Sequence, residues 1–175
     1  MWTVADLDAL PDDGCRYEIL HGELLVTPPP SNSHEGVAVT LVFLFANWCR
    51  AHTGWAVRAR GGVHINEASW LEPDLSVFPA PHMIDVPWRE MPAPLLVVEI
   101  LSRSTEKRDR HRKRPAYLAH GVREVWLVSR RKRTIERWTA ASEFPDTFLE
   151  SITWTPDPAL PSLVVPAVEL FGPNE

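Results

Sequence analysis

The sequence predicts an α/β domain, a mixed β-sheet flanked by helices, and three observations carry that reading. Helix-like and strand-like periodicities follow one another along the chain. One run, LLVVEIL at 95–101, is apolar almost throughout, the character of a strand covered on both faces. Prolines gather at 28–30, 79–94 and 156–166, between the periodic segments, where they mark loops. With 175 residues and 45% apolar side chains, the chain has the size and composition of a single domain over 1–175 with one core.

The elements follow in order. TVADLDALP reads as a short helix capped by Thr3 and stopped by Pro11. RYEIL and ELLVT read as two strands joined by a hairpin turn at His21-Gly22. From His34 to His52, the residues Val37, Leu41, Leu44, Phe45 and Trp48 recur at helical spacing, with Ser33 as the N-cap and Gly54 as the stop. Strands are expected at 55–59, 62–66 and 74–78, the last reached through a turn over ASWLEP. After the proline-rich loop and the LLVVEIL strand, Ser102 or Ser104 caps a helix running toward Gly121. REVWLVS and RTIERWT form a last strand pair turning at RRK, and 147–172 is expected to hold one further strand and an irregular segment.

Composition narrows the function classes. No run of eighteen apolar residues exists and the start, MWTVADLDALPDD, is acidic, so a soluble, cytoplasmic protein without a membrane partner is expected. Cys15 and Cys49 lack CxxC spacing and a companion histidine cluster, which argues against zinc and for two buried apolar residues. His64, His82, His111 and His120 have no ligand spacing. The net charge of −5 divides unevenly: residues 103–137 carry thirteen Lys and Arg against four acids, a window of +9, and the remainder is −14. Such a window reads either as a solvated helix face with a basic hairpin or as a surface for a polyanion.

The chemistry-bearing feature is a pair of carboxylates in apolar strands. Asp74, after Pro73, opens the strand Leu75–Phe78, and Glu99 lies near the end of LLVVEIL. Ionised carboxylates are costly to bury without a compensating cation. If the two strands are neighbours, both groups lie at one end of the sheet and can share a hard divalent ion. Mg²⁺, or Mn²⁺ in its place, suits few protein carboxylates with water and phosphate oxygens completing its shell. That is the donor set of a phosphodiester-hydrolysing site.

The segments RYEILHGELLVTPPPSNSHEG, EPDLSVF, LLVVEILSRST, KRPAYLAHGVREVWLV and RTIERW, in this order over nearly the whole chain, resemble the Uma-two family of restriction-endonuclease-like proteins. The resemblance implies the PD-(D/E)xK nuclease fold and a metal-dependent endonuclease acting on DNA, working as a homodimer. It implies Asp74 and Glu99 as catalytic residues and metal ligands, with the backbone carbonyl of Ile100 as a third ligand. The general motif has a lysine two residues after the glutamate, where this chain has Leu101. The resemblance moves that lysine into the following helix, where Lys113 stands as the third catalytic residue. Pro115, two residues on, should kink or end that helix and so sets the direction of Lys113 in question.

Further candidates surround these three. His34 reads as a water or phosphate contact or as a solvent-exposed helix-start residue. Glu18 and Glu23 flank the first hairpin, one as a helper of the site and one on a solvated strand face. Asp109, four residues before Lys113, either makes an ordinary helical ion pair or holds Lys113 in place. Arg103, Lys107, Arg108, Arg110 and Arg112 are the expected nucleic-acid contacts, and the 79–94 loop is a candidate for specificity. Against the endonuclease stand a catalytically inactive nucleic-acid-binding domain using the basic 103–137 region, and a structural or oligomerisation domain built on apolar strands and eight tryptophans.

Overall fold

Residues 1–79 and 85–173 are described by a computed structural model; His82 and the rest of 80–84, within the proline-rich loop, lie outside them. A six-stranded sheet forms the centre. It contains β3 (Ala56–Ala59), β6 (Leu75–Phe78), β7 (Leu96–Ile100), β8 (Glu124–Ser129), β9 (Thr134–Trp138) and β10 (Asp146–Phe148), in the order β10-β9-β8-β7-β6-β3. The β7–β8 pair is parallel and every other pair antiparallel, so the sheet is mixed. As expected from its unbroken apolar run, β7 is buried along its whole length.

A second sheet has the order β2-β1-β5-β4, with β1 (Arg16–Leu20), β2 (Glu23–Thr27), β4 (Val63–Asn66) and β5 (Ser69–Leu71). The β1–β2 hairpin turns at His21 and Gly22, whose φ values of 53° and 75° are the left-handed pair of a tight two-residue turn. Strand β5 replaces the turn expected over ASWLEP, pairing through Trp70 with Ile19 of β1. The first helix is a 3-10 turn, Val4–Ala9, closed by a reciprocal Thr3–Asp6 cap.

Helix α1 (Asn32–Ala51) buries Val37, Leu41, Phe45 and Trp48 on one face of the six-stranded sheet. Its N-cap is Ser31, whose hydroxyl accepts the His34 N–H at 3.3 Å, and not Ser33. The helix thus starts two residues earlier than expected, and His34, its third residue, faces the sheet end. Phe45 and Trp48 meet Trp154 at 5.3 and 5.1 Å between ring centres. Trp154 belongs to the hairpin of β11 (Ser151–Trp154) and β12 (Leu163–Pro166), which with the short helix Ala167–Phe171 makes the C-terminal region more regular than the sequence suggests.

The opposite face carries the crossover from β7 to β8. Its helix over 106–119 consists of α2 (Glu106–Arg108), a π-helical turn Asp109–Lys113 and α3 (Arg114–Ala119). Pro115 does not end it. A proline in a regular helix would clash with the carbonyl four residues back. Here the Arg114 N–H reaches the Asp109 carbonyl, five residues back, and the widened turn accommodates the ring. Asp109, Lys113, Ala116 and Tyr117 all point inward and are buried. Cys15 and Cys49 are free and only half-buried, not buried as expected: Cys15 lies just before β1, and Cys49, in α1, packs against the edge of the core.

Packing is tight within the four-stranded sheet, where Gly62 lies against β5. A side chain begun at Gly62 would place its Cβ 1.9 Å from Cζ2 of Trp70, whereas one at Gly36, in α1, meets nothing within 4 Å. Gly62→Ala should therefore cost about 1–3 kcal/mol by overpacking. Gly36→Ala should gain about 0.5–1 kcal/mol from helix propensity. Urea unfolding of the two variants against the parent checks the opposite signs.

Candidate active site

Register brings the two strand carboxylates together. Leu75 of β6 pairs with Val98 of β7, so one step further places Asp74 across from Glu99 at the end of the sheet. Both are almost completely buried, at 4% and 2% exposure. Alternation turns Glu99 to the same face as Val97, beneath the helix over 106–119.

Asp74 is held from three directions. Its Oδ2 accepts the Ile100 backbone N–H at 2.8 Å and lies 3.2 Å from Nε2 of His34, while Oδ1 accepts from Arg16 at 3.1 Å. Burial works against its charge, but the His34 hydrogen bond, the Arg16 guanidinium and the Ile100 amide prevail and bring the carboxyl down to about 2. His34 is thus not a solvent-exposed helix-start residue.

Glu99 has a different environment. Its Oε1 accepts from the Tyr117 hydroxyl at 2.8 Å and from Lys113 Nζ at 2.6 Å. Burial pushes its carboxyl up, against the pull of Lys113 and with Asp109, Asp74 and Glu18 adding to the push. Lys113 Nζ also lies 2.8 Å from Glu18 and 4.0 Å from Asp109. Burial alone would lower the ammonium's pKa, but Glu18, Glu99 and Asp109 outweigh it and keep Lys113 charged. Of the two hairpin glutamates, Glu18 is buried beside Lys113 and Glu23 lies on the solvated side, paired with Arg112 at 2.7 Å.

Negative charge is in excess here. Glu18 Oε2 and Asp109 Oδ1 are buried without a hydrogen-bond partner. Among the described residues, no group of three or more His, Cys, Asp or Glu is arranged to hold a metal through side chains alone. Asp74 and Glu99 are two carboxylates, the kind of donor of which a hard ion such as Mg²⁺ takes few, keeping water in its other positions. Asp74, Glu99 and Lys113 share a cleft of about 240 Å³ with His34, Arg108 and Asp109, open between the 28–30 prolines and the turn at 102–105.

Arg16 is the residue that motif reading passes over. Its signal was period-two spacing with Glu18 on β1, which sends both side chains toward the same face. The basic window is largely committed to the protein itself. Arg110 is held by both carboxylate oxygens of Glu136, Arg112 by Glu23 and Arg137 by Asp146. Arg133 donates to the Phe171 and Gly172 carbonyls, and Arg114 stacks 3.7 Å over the Trp138 ring. Arg108 donates to Thr27 at 2.6 Å and lines the cleft, while Arg103 and Lys107 face solvent.

Comparison with known proteins agrees with this architecture. A crystal structure from Anabaena variabilis, described as a "putative nuclease belonging to DUF820", superposes with a TM-score of 0.79 over 98% of each chain at 19% identity, a likeness of fold. No curated protein matches the chain. Among the described residues, no helix is long and apolar enough to cross a membrane. Residues 4–168 match the Uma2 family, described as "Putative restriction endonuclease", and the chain belongs to that family.

Proposed function

We propose that this chain is a divalent-metal-dependent endonuclease that hydrolyses phosphodiester bonds in DNA, with 1–175 acting as one catalytic domain. The observation that carries the proposal is the pairing of Asp74 and Glu99 across adjoining strands, with Lys113 Nζ 2.6 Å from Glu99 on the floor of an open cleft. Asp74, Glu99 and the Ile100 carbonyl would hold Mg²⁺ or Mn²⁺. Such an ion, when bound, polarises the phosphoryl oxygen and lowers the pKa of the attacking water.

The remaining work falls to the chain's own groups. Arg16 and His34 fix the Asp74 carboxylate in place and keep it ionised. Tyr117 orients Glu99 through its hydroxyl. Lys113 presents a permanent positive charge where negative charge grows on the phosphate, a contribution that needs no reorganisation during the reaction. Its helix position takes over the place that Leu101 leaves vacant in the strand, which favours an active enzyme over a binding module without catalysis. Asp109 and Glu18 position Lys113.

Supercoiled plasmid and single-stranded DNA, incubated with Mg²⁺, with Mn²⁺ and with chelator, test the reading. Cutting should require the metal and should vanish in Asp74→Asn and Glu99→Gln, both still folded by circular dichroism. Equilibrium dialysis should show Mn²⁺ binding weakened in both variants. Metal-dependent cutting that survives either substitution would remove that residue from the site.

Lys113→Gln leaves three buried carboxylates without their ammonium. The loss should be about 3–5 kcal/mol of stability in chelator. Mg²⁺ should restore part of it by binding the folded state, raising the variant's urea midpoint more than the parent's. Cleavage should fall by about 10²–10³. An unchanged midpoint in chelator would show that the ammonium is not what balances the cluster.

A further inference from the structure

We propose that Arg103, Arg130 and Arg131 form a phosphate-binding track that holds the DNA backbone beside the scissile phosphate; this rests on the nuclease reading above. A second depression, lined by these three arginines, runs directly out of the cleft, and the two share Ser31, His34, Ile100 and Ser102 along their common border. A backbone leaving Asp74 and Glu99 in that direction passes next over the arginines.

The placement follows from the sheet. Ile100, at the end of β7, pairs with Val128, one residue before the end of β8. Arg103 follows β7 and Arg130 follows β8, so both emerge at the same end of the sheet as the carboxylates. Arg123 precedes β8 and lies at the other end, a strand's length away at about 3.3 Å per residue.

Availability separates these arginines from the rest of the basic window. Arg103 and Arg130 are exposed and have no ion pair among the described residues. Arg131 has one pair, to Glu106 at 3.4 Å, and is itself 61% exposed. Exposed pairs of that kind contribute at most about 1 kcal/mol and exchange readily for a phosphate. Arg110, Arg112, Arg133 and Arg137 are already engaged by carboxylates or carbonyls.

Electrostatics gives the track its purpose. The cleft sets the Asp74, Glu99 and Asp109 carboxylates against Arg16, Arg108 and Lys113, cations that these carboxylates already engage, so an approaching polyanion needs further cations along its path. Guanidinium groups suit phosphate oxygens through paired hydrogen bonds. Interactions confined to the backbone position the strand without reading its bases, so the track should be indifferent to sequence.

Binding of a fluorescent DNA oligonucleotide, measured against salt in the non-cutting Asp74→Asn protein, tests the track. Removing one arginine from a phosphate should reduce the slope of log K against log salt by roughly 0.7–0.9. Arg103→Gln and Arg130→Gln should each show that reduction, and Arg123→Gln should leave the slope unchanged. In the cutting protein, the first two should raise KM with little change in kcat. Salt-dependent binding whose slope ignores Arg103 and Arg130 would overturn the track and leave the nuclease reading intact. Absence of salt-dependent binding altogether, in folded protein, would overturn both.

Discussion

The buried ammonium of Lys113 is the interaction on which the rest of the arrangement depends. Taking a charged group out of water costs several kcal/mol, and attraction to nearby opposite charges offsets this only when the geometry is close. Here the distances are 2.6 Å to Glu99 and 2.8 Å to Glu18. Those partners come from different sheets, Glu99 from β7 and Glu18 from β1, while Lys113 belongs to the helix between β7 and β8. One ammonium thus ties together the two sheets and the crossover helix, and does so at the position where Asp74 and Glu99 meet.

That tie requires Lys113 to point inward, and the helix reaches this result through a local irregularity. Asp109, Lys113 and Tyr117 are spaced four apart, the stripe that a helix lays along one face. Pro115 falls inside that stripe's span and would, in regular geometry, press on the carbonyl of His111. The π turn over Asp109–Lys113 adds the room the ring needs and leaves the stripe facing the sheet. Short π turns of this kind concentrate at functional sites, which agrees with the residues this one carries.

Much of the fold was legible because long elements repeat their signal. The face of α1 was written five times between Val37 and Trp48, and the burial of β7 in an unbroken apolar run. Asp74 and Glu99 were legible for the opposite reason: each interrupts an apolar strand and raises the question of what compensates it. Strand β5 was not legible, since three residues are too few for alternation to show. The N-cap was expected at Ser33 and lies at Ser31, a serine two residues earlier with the same capping hydroxyl. Arg16 was hidden because its partner Asp74 lies 58 residues away, and local spacing says nothing about pairing across that distance. The basic window misled in the same manner: a sum over 103–137 does not see Glu23, which occupies Arg112 from 89 residues away.

The two halves of the charge distribution answer a single electrostatic requirement. An interior that gathers Glu18, Asp74, Glu99 and Asp109 around Lys113, Arg16 and Arg108 engages its cations in ion pairs and leaves little positive charge for a phosphate. Phosphodiester chemistry at such a place therefore needs positive charge from two sources, one inside the cluster and one along the substrate's approach. A divalent ion suits the first, because small hard cations prefer carboxylate oxygens and keep water for themselves. The second must come from side chains that the fold leaves free to meet a phosphate, and long cationic side chains near the surface are screened beyond about 8–10 Å. Only cations at the rim of the cleft can then act on a strand lying in it, so which arginines remain available beside the carboxylates matters more than how many the window contains.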